Sequence, residues 1–226
     1  MEMQLNILRA GKMGYPEALA LQERTLLLRQ ERKIPDTLIL VEHPDVLTLG
    51  RRGDYANILL SRDILEKQGV AVHEVNRGGD VTYHGPGQIV GYPVMDLNLM
   101  GNDIKKYVYN IEEVFIRMLR KEFGIVSRRE EKKFTGVWVG NEKIAAIGIA
   151  VKQHVTMHGF AFNANTDLSH FAWINPCGLT GTGVTSLQKL LGKPVDFTAV
   201  NDLIINYFCR VFERKANDEG CKNVPR

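Results

Sequence analysis

Gly140-Asn141 is the dipeptide that most restricts how this chain can fold. Glycine in the first central position is the type II′ signal, and that turn's twist matches two antiparallel strands. The flanking residues, 135–139 and 143–151, read as strands. A hairpin in the middle of a chain argues against a doubly wound parallel sheet, where parallel neighbours need crossover connections. Several other strands alternate in polarity, as 155–163 does, and that also favours antiparallel pairing.

Further short strands are predicted over 4–9, 37–41, 46–49, 70–75 and 88–97. Pro16, near a first turn, opens a run of good helix formers to about residue 32. Ile104, Val108, Ile111, Phe115 and Met118 step by four, three, four and three, which is an amphipathic helix. Val200, Leu203, Ile204, Tyr207, Phe208, Val211 and Phe212 make a second apolar stripe. The expected fold is α+β: one domain over residues 1–226, with a mixed, mostly antiparallel sheet flanked by helices. The polar stretch from about 216 to 226 is expected to be a flexible tail.

Composition narrows the function classes. At 226 residues and 44% hydrophobic, the chain can build a core, which excludes wholesale disorder. Lys+Arg 29 against Asp+Glu 26 leaves +3, too little to argue for nucleic acid, and no Lys/Arg run exceeds two. The longest apolar run, 144–151, is far short of the roughly 20 residues of a bilayer span. The first residues lack a signal-peptide pattern. Three cysteines, 177, 209 and 221, form no close-spaced framework, so a reduced, cytoplasmic protein is expected.

Three segments carry candidate chemistry. Arg77-Gly78-Gly79-Asp80-Val81-Thr82-Tyr83-His84-Gly85-Pro86-Gly87-Gln88 holds four glycines, which let backbone approach a ligand. Its spacing is not a Rossmann fingerprint, and no Gly-Lys-Ser/Thr of a Walker loop occurs. Its plain alternative is a tight, bulged loop. Cys177 sits among Gly178, Thr180, Gly181, Thr182 and Gly183, just before an expected helix. Small neighbours leave room for a substrate, and nearby N–H groups could lower the thiol pKa and bind an oxyanion. Lys143 follows the hairpin turn and opens Ile144-Ala145-Ala146-Ile147-Gly148, a strand with few large side chains. Lysine there is ordinarily solvated. Beside a thiol it would favour thiolate and shuttle a proton. His154 and His158 have a ligand-like spacing, but on a strand they stand about 13 Å apart at ~3.3 Å per residue, too far for one zinc. No metal site is expected.

Taken together, Arg77 to Gln88, Lys143 to Gly148, His158-Gly159-Phe160-Ala161, Pro176-Cys177-Gly178 and Val184-Thr185-Ser186-Leu187 strongly resemble the lipoyl/octanoyl transferase family. The resemblance extends to His43-Pro44, Leu49-Gly50-Arg51-Arg52-Gly53 and Arg62, and covers about residues 38–191. It implies the fold of the biotin and lipoate protein ligases. It implies an acyltransferase that moves octanoyl from acyl carrier protein to a lysine of lipoyl domains, through a thioester on Cys177 with Lys143 as partner. By the same likeness the substrate pocket is lined by Arg77, Gly78, Gly79, Asp80, Val81, Thr82, Tyr83, His84, Ala146, Ile147, Gly148, Gly159, Phe160 and Ala161. No cofactor is implied beyond the phosphopantetheine that the carrier protein brings. The implied acceptors are the lipoyl domains of 2-oxoacid dehydrogenase E2 subunits and the glycine cleavage H protein, served by a monomer. Ala146 and Gly148 share one face of their strand, as do Gly159 and Ala161 of the next. These four are expected to leave open space for the acyl chain, with valine tolerated by the fold at 148 and 159. Two other functions fit parts of the pattern. An ATP-dependent lipoate or biotin ligase would keep Lys143 without needing Cys177, and a non-catalytic lipoyl-domain binder would need neither.

Overall fold

A computed structural model describes residues 3–130, 135–175 and 183–218. Its elements in chain order are β1 (Met3–Lys12), α1 (Tyr15–Gln30), β2 (Asp36–Glu42), β3 (Val46–Leu49), α2 (Arg62–Lys67), β4 (Ala71–Glu74), β5 (Val81–His84) and β6 (Gln88–Val94). Then follow α3 (Ile104–Phe123), β7 (Arg128–Arg129), β8 (Gly136–Val139), β9 (Glu142–Lys152), β10 (Val155–Asn163), β11 (Gly183–Val184), α4 (Leu187–Leu191), α5 (Phe197–Phe212) and β12 (Arg214–Asn217).

The main sheet runs β12-β1-β2-β6-β10-β9-β8-β7. Its first two pairings are parallel and the rest of that path is antiparallel. The expected mixed, mostly antiparallel sheet is therefore observed. The β8–β9 hairpin turns at Gly140, whose φ is +55°, as a turn with glycine first requires. A second sheet, β4-β3-β5, lies apart from the first.

Both faces of the main sheet are covered. On one, Ile111, Val114, Phe115 and Met118 of α3 join Val200, Ile204 and Phe208 of α5 over Leu38, Ile89 and Phe162. Asp103 caps α3 by accepting Lys106 N–H, and Asp196 caps α5 by accepting Thr198 and Ala199 N–H. On the other face Ala18, Leu21 and Leu26 of α1 pack over Ile39, Val90, Tyr92 and Ala161.

Two expectations differ. The glycine-rich connection contains a strand, β5, paired antiparallel with β3. The tail expected from about 216 instead begins as part of β12, where Ala216 and Asn217 pair with Leu5 and Asn6. The cause is a buried ion pair: Arg214 reaches Asp36 Oδ2 at 3.1 Å, while Arg29 holds Oδ1 at 2.8 Å. Two guanidiniums compensate that desolvated carboxylate and tie the chain end to α1 and β2. Residues 219–226 lie outside the described residues.

Candidate active site

A cavity of ≈ 500 Å³ lies between the two sheets. Its floor is β9 and β10, where Ala146 pairs with Ala161 and Gly148 with Gly159. Arg77, Gly78, Gly79, Asp80, Val81, Thr82, His84, Ile147 and Phe160 also line it. Tyr83, expected with them, does not: its ring packs into the small sheet's core beside Leu47 and Ile174. The Tyr83 hydroxyl donates to Asp45 at 2.6 Å and meets His170 Nδ1 at 2.8 Å.

The glycines leave less open space than expected. A Cβ on Gly148 would stand 2.7 Å from the Gly78 carbonyl oxygen, and one on Gly159 would stand 2.2 Å from that of Gly91. Gly148 admits the Arg77-Gly78 backbone, which bonds to β9 through Gly78 N–H to Ile149 O at 2.8 Å. Gly159 admits the neighbouring strand β6. Valine at either position must displace backbone, so the expected tolerance is overturned: these two glycines serve close packing at the cavity wall.

Near Gly148 the site is polar, and its side chains are buried. Arg77 is buried, donating to the Thr48 carbonyl at 2.6 Å and the Gly78 carbonyl at 3.0 Å. Burial, then His43, pushes the His84 pKa down to about 3. Burial, then the Arg77 charge, pushes His158 down to about 4. Both rings are neutral at pH 7. His158 Nε2 meets Asn76 Oδ1 at 2.8 Å, and its backbone N–H donates to Gln22 of α1 at 2.9 Å, with φ at +56°. Tyr15, whose pKa burial raises to about 12, stacks on His73 at 5.4 Å. Asp80 accepts Val81 N–H at 2.7 Å and Asn57 Nδ2 at 2.7 Å, so its carboxylate braces the loop.

These depressed histidines make stability acid-sensitive. The unfolded chain takes up a proton near 6.5 and folded His158 only near 4, so its contribution is complete above 6.5 and lost as pH falls between them. At pH 5 His158 alone is expected to cost about 2 kcal/mol. Melting temperature against pH, for this chain and His158→Gln, checks it. The variant's profile should be flatter, and a parent profile flat from pH 7 to 5 would contradict the account.

Lys143 stands about 16 Å along β9 from Gly148, at ~3.3 Å per residue. Its Nζ lies 3.5 Å from the Thr135 carbonyl and 4.9 Å from the Trp138 ring centroid. Val184 pairs with Lys143 in parallel, because β11 takes up the edge of β9 just beyond the end of β10. Cys177 lies outside the described residues. The chain on either side of that gap, Asn175 and Gly183, lines the cavity, as does Lys143.

Sequence reasoning missed Tyr15, Tyr92, Trp138 and Phe171 as cavity walls. Each reads as an ordinary core aromatic, and no spacing marks it. His154 lies in the β9–β10 turn, bonded to Asn102 at 2.8 Å, while His158 is buried at the cavity. The structure does not bring the two together. Among the described residues no helix is long and apolar enough to cross a membrane.

Residues 14–209 match the family described as lipoyl protein ligase A/B catalytic domain. An octanoyltransferase of Caldicellulosiruptor bescii is 59% identical over 218 residues, 96% of each chain. A bi-partite lipoate protein ligase of Thermoplasma acidophilum superposes with a TM-score of 0.71 at 18% identity, covering 99% of this chain and 90% of its own. The biotin protein ligase of Aquifex aeolicus gives 0.53 at 12% identity, covering 94% and 70%. The fold is shared with both ligases.

Proposed function

The chain belongs to the lipoyl protein ligase A/B catalytic family and is an acyltransferase of protein lipoylation that transfers octanoyl, and from that premise we propose a two-step mechanism through Cys177 and Lys143. The donor is octanoyl-acyl carrier protein. The acceptor is the target lysine of a lipoyl domain, on 2-oxoacid dehydrogenase E2 subunits or the glycine cleavage H protein.

In the first step Cys177 thiolate attacks the donor's thioester carbonyl. The C–S bond to pantetheine breaks, and the departing thiolate takes up a proton from the Lys143 ammonium, leaving a neutral amine. In the second, the acceptor amine attacks the acyl-cysteine, forming C–N as C–S breaks. Its proton goes to Lys143, which in the first step, as ammonium, favoured the thiolate. Backbone N–H groups of the glycine-rich walls are candidates for the tetrahedral oxyanion. The apolar walls, Ala146, Ile147, Phe160 and Ala161, hold the chain, at about 0.8 kcal/mol per buried methylene. Arg77 and neutral His84 and His158 shape the polar end.

One observation carries this reading. β11 begins six residues after Cys177 and pairs with Glu142 and Lys143, so the described chain that follows the cysteine starts beside the lysine at the cavity. A ligase on this fold would activate a free acid with ATP, and a thioester donor needs no such activation. Purified protein, octanoyl-acyl carrier protein and a lipoyl domain are expected to give octanoylated domain without ATP or added metal. Product formed only from free octanoate with ATP would instead assign the chain to the ligases.

A further inference from the structure

Glu112 is out of place by the logic of its helix. It lies beside Ile111 on the face of α3 that carries Val114, Phe115 and Met118 into the core, and it is itself buried. A carboxylate there costs free energy unless something specific meets it. Burial raises its pKa, while the Gly136 N–H, Arg129 and Lys143 pull it back down.

What meets it is a single peptide unit. Glu112 Oε1 accepts the Gly136 N–H at 3.0 Å. The carbonyl of that same peptide, belonging to Thr135, accepts from Lys143 Nζ at 3.5 Å. In a planar trans peptide the N–H and C=O point in opposite directions, so fixing one aims the other. Gly136 adds a steric condition. Its φ is +145°, and a Cβ there would stand 2.4 Å from the Ala145 carbonyl oxygen and 3.4 Å from Lys143 Cδ and Cε. The lysine stem lies against this bare backbone. On the far side of the carboxylate, Arg129 of β7 approaches Oε2 at 3.3 Å while also pairing with Glu113 and covering the Tyr109 ring.

We propose that Glu112 is a positioning residue for acyl transfer: its carboxylate clamps the Thr135–Gly136 peptide, whose carbonyl aims the Lys143 ammonium into the cavity. This rests on Lys143 acting as proposed above. The same negative charge favours the protonated lysine that holds the thiolate. Among the described residues, the charged groups around this pair are Arg129 and Glu113 beside Glu112, and Glu142, bonded to Lys189, beside Lys143. Arg129 keeps Glu113 in every Glu112 variant.

The test measures the rate of enzyme acylation by octanoyl-acyl carrier protein across pH, with melting temperature, for the parent, Glu112→Gln, Glu112→Ala and Lys143→Ala. Glutamine keeps a carbonyl acceptor for Gly136 and loses the charge. It is expected to fold with donor KM unchanged, to acylate about 10- to 100-fold more slowly, and to show its basic limb at lower pH. Alanine loses both and should be slower still. If alanine does not fold, glutamine decides. Parent-like rates and pH profile in Glu112→Gln, with Lys143→Ala slow, would overturn the clamp alone. Parent-like rates in Lys143→Ala would overturn the role of the lysine, and the clamp with it.

Discussion

Lys143→Ala is expected to slow octanoyl transfer by about 10²–10⁴-fold, the range of a lost general acid or base. The fold should barely notice. The ammonium lies against the Thr135 carbonyl and the Trp138 ring at the edge of the cavity, outside both main-sheet cores. Losing the cation–π contact is worth about 0.5–1 kcal/mol. Lys143→Arg should not restore turnover, because guanidinium keeps its proton and cannot accept the one released by the attacking amine. Steady-state kcat beside melting temperature separates chemistry from folding. An arginine variant at parent rate would reduce the lysine to a fixed charge.

Cys177→Ala is expected to cost more, on the order of 10⁴–10⁶-fold, as removal of a covalent nucleophile does in enzymes that depend on one. Without the thiol the acceptor amine must attack the bound carrier-protein thioester directly, with both protein substrates present at once. Cys177→Ser should be nearly as slow, since a hydroxyl is far less acidic than a thiol and the lysine charge cannot ionise it. Its kinetics discriminate as well. The parent should show the ping-pong pattern of two separate transfers, and neither variant should retain it.

How much of this was legible in the sequence depends on the kind of signal each element leaves. α3 and α5 bury most of their stripes, Ile104 at the start of α3 excepted, so their period survives in the residues that face the core. The β8–β9 hairpin was legible because its turn chemistry is local. β12 was not, because Arg214, Lys215, Ala216 and Asn217 carry no apolar alternation and the strand is anchored by Asp36, 178 residues away. β5 hid inside a glycine-rich stretch, being only four residues long. With it hid the packing that takes Tyr83 into the small sheet's core while Val81, Thr82 and His84 line the cavity. At the site, Lys143, Arg77, His84 and the small residues of β9 and β10 stood out by type and pattern. Empty space could not be told from space filled by backbone, since a glycine letter records the missing side chain and not what occupies its place. Glu112 was visible as a charge beside an apolar stripe, but only the Thr135–Gly136 peptide gives it a purpose.

The central claim is that the octanoyl group rests covalently on Cys177 between its two carriers. Intact mass spectrometry of the purified chain, mixed with octanoyl-acyl carrier protein and no acceptor, tests this most directly. The account predicts one added octanoyl mass, mapping to the peptide that contains Cys177, removed by hydroxylamine and discharged on adding a lipoyl domain. An unmodified chain that nonetheless transfers octanoyl at full rate, or a label on any other residue, would contradict it.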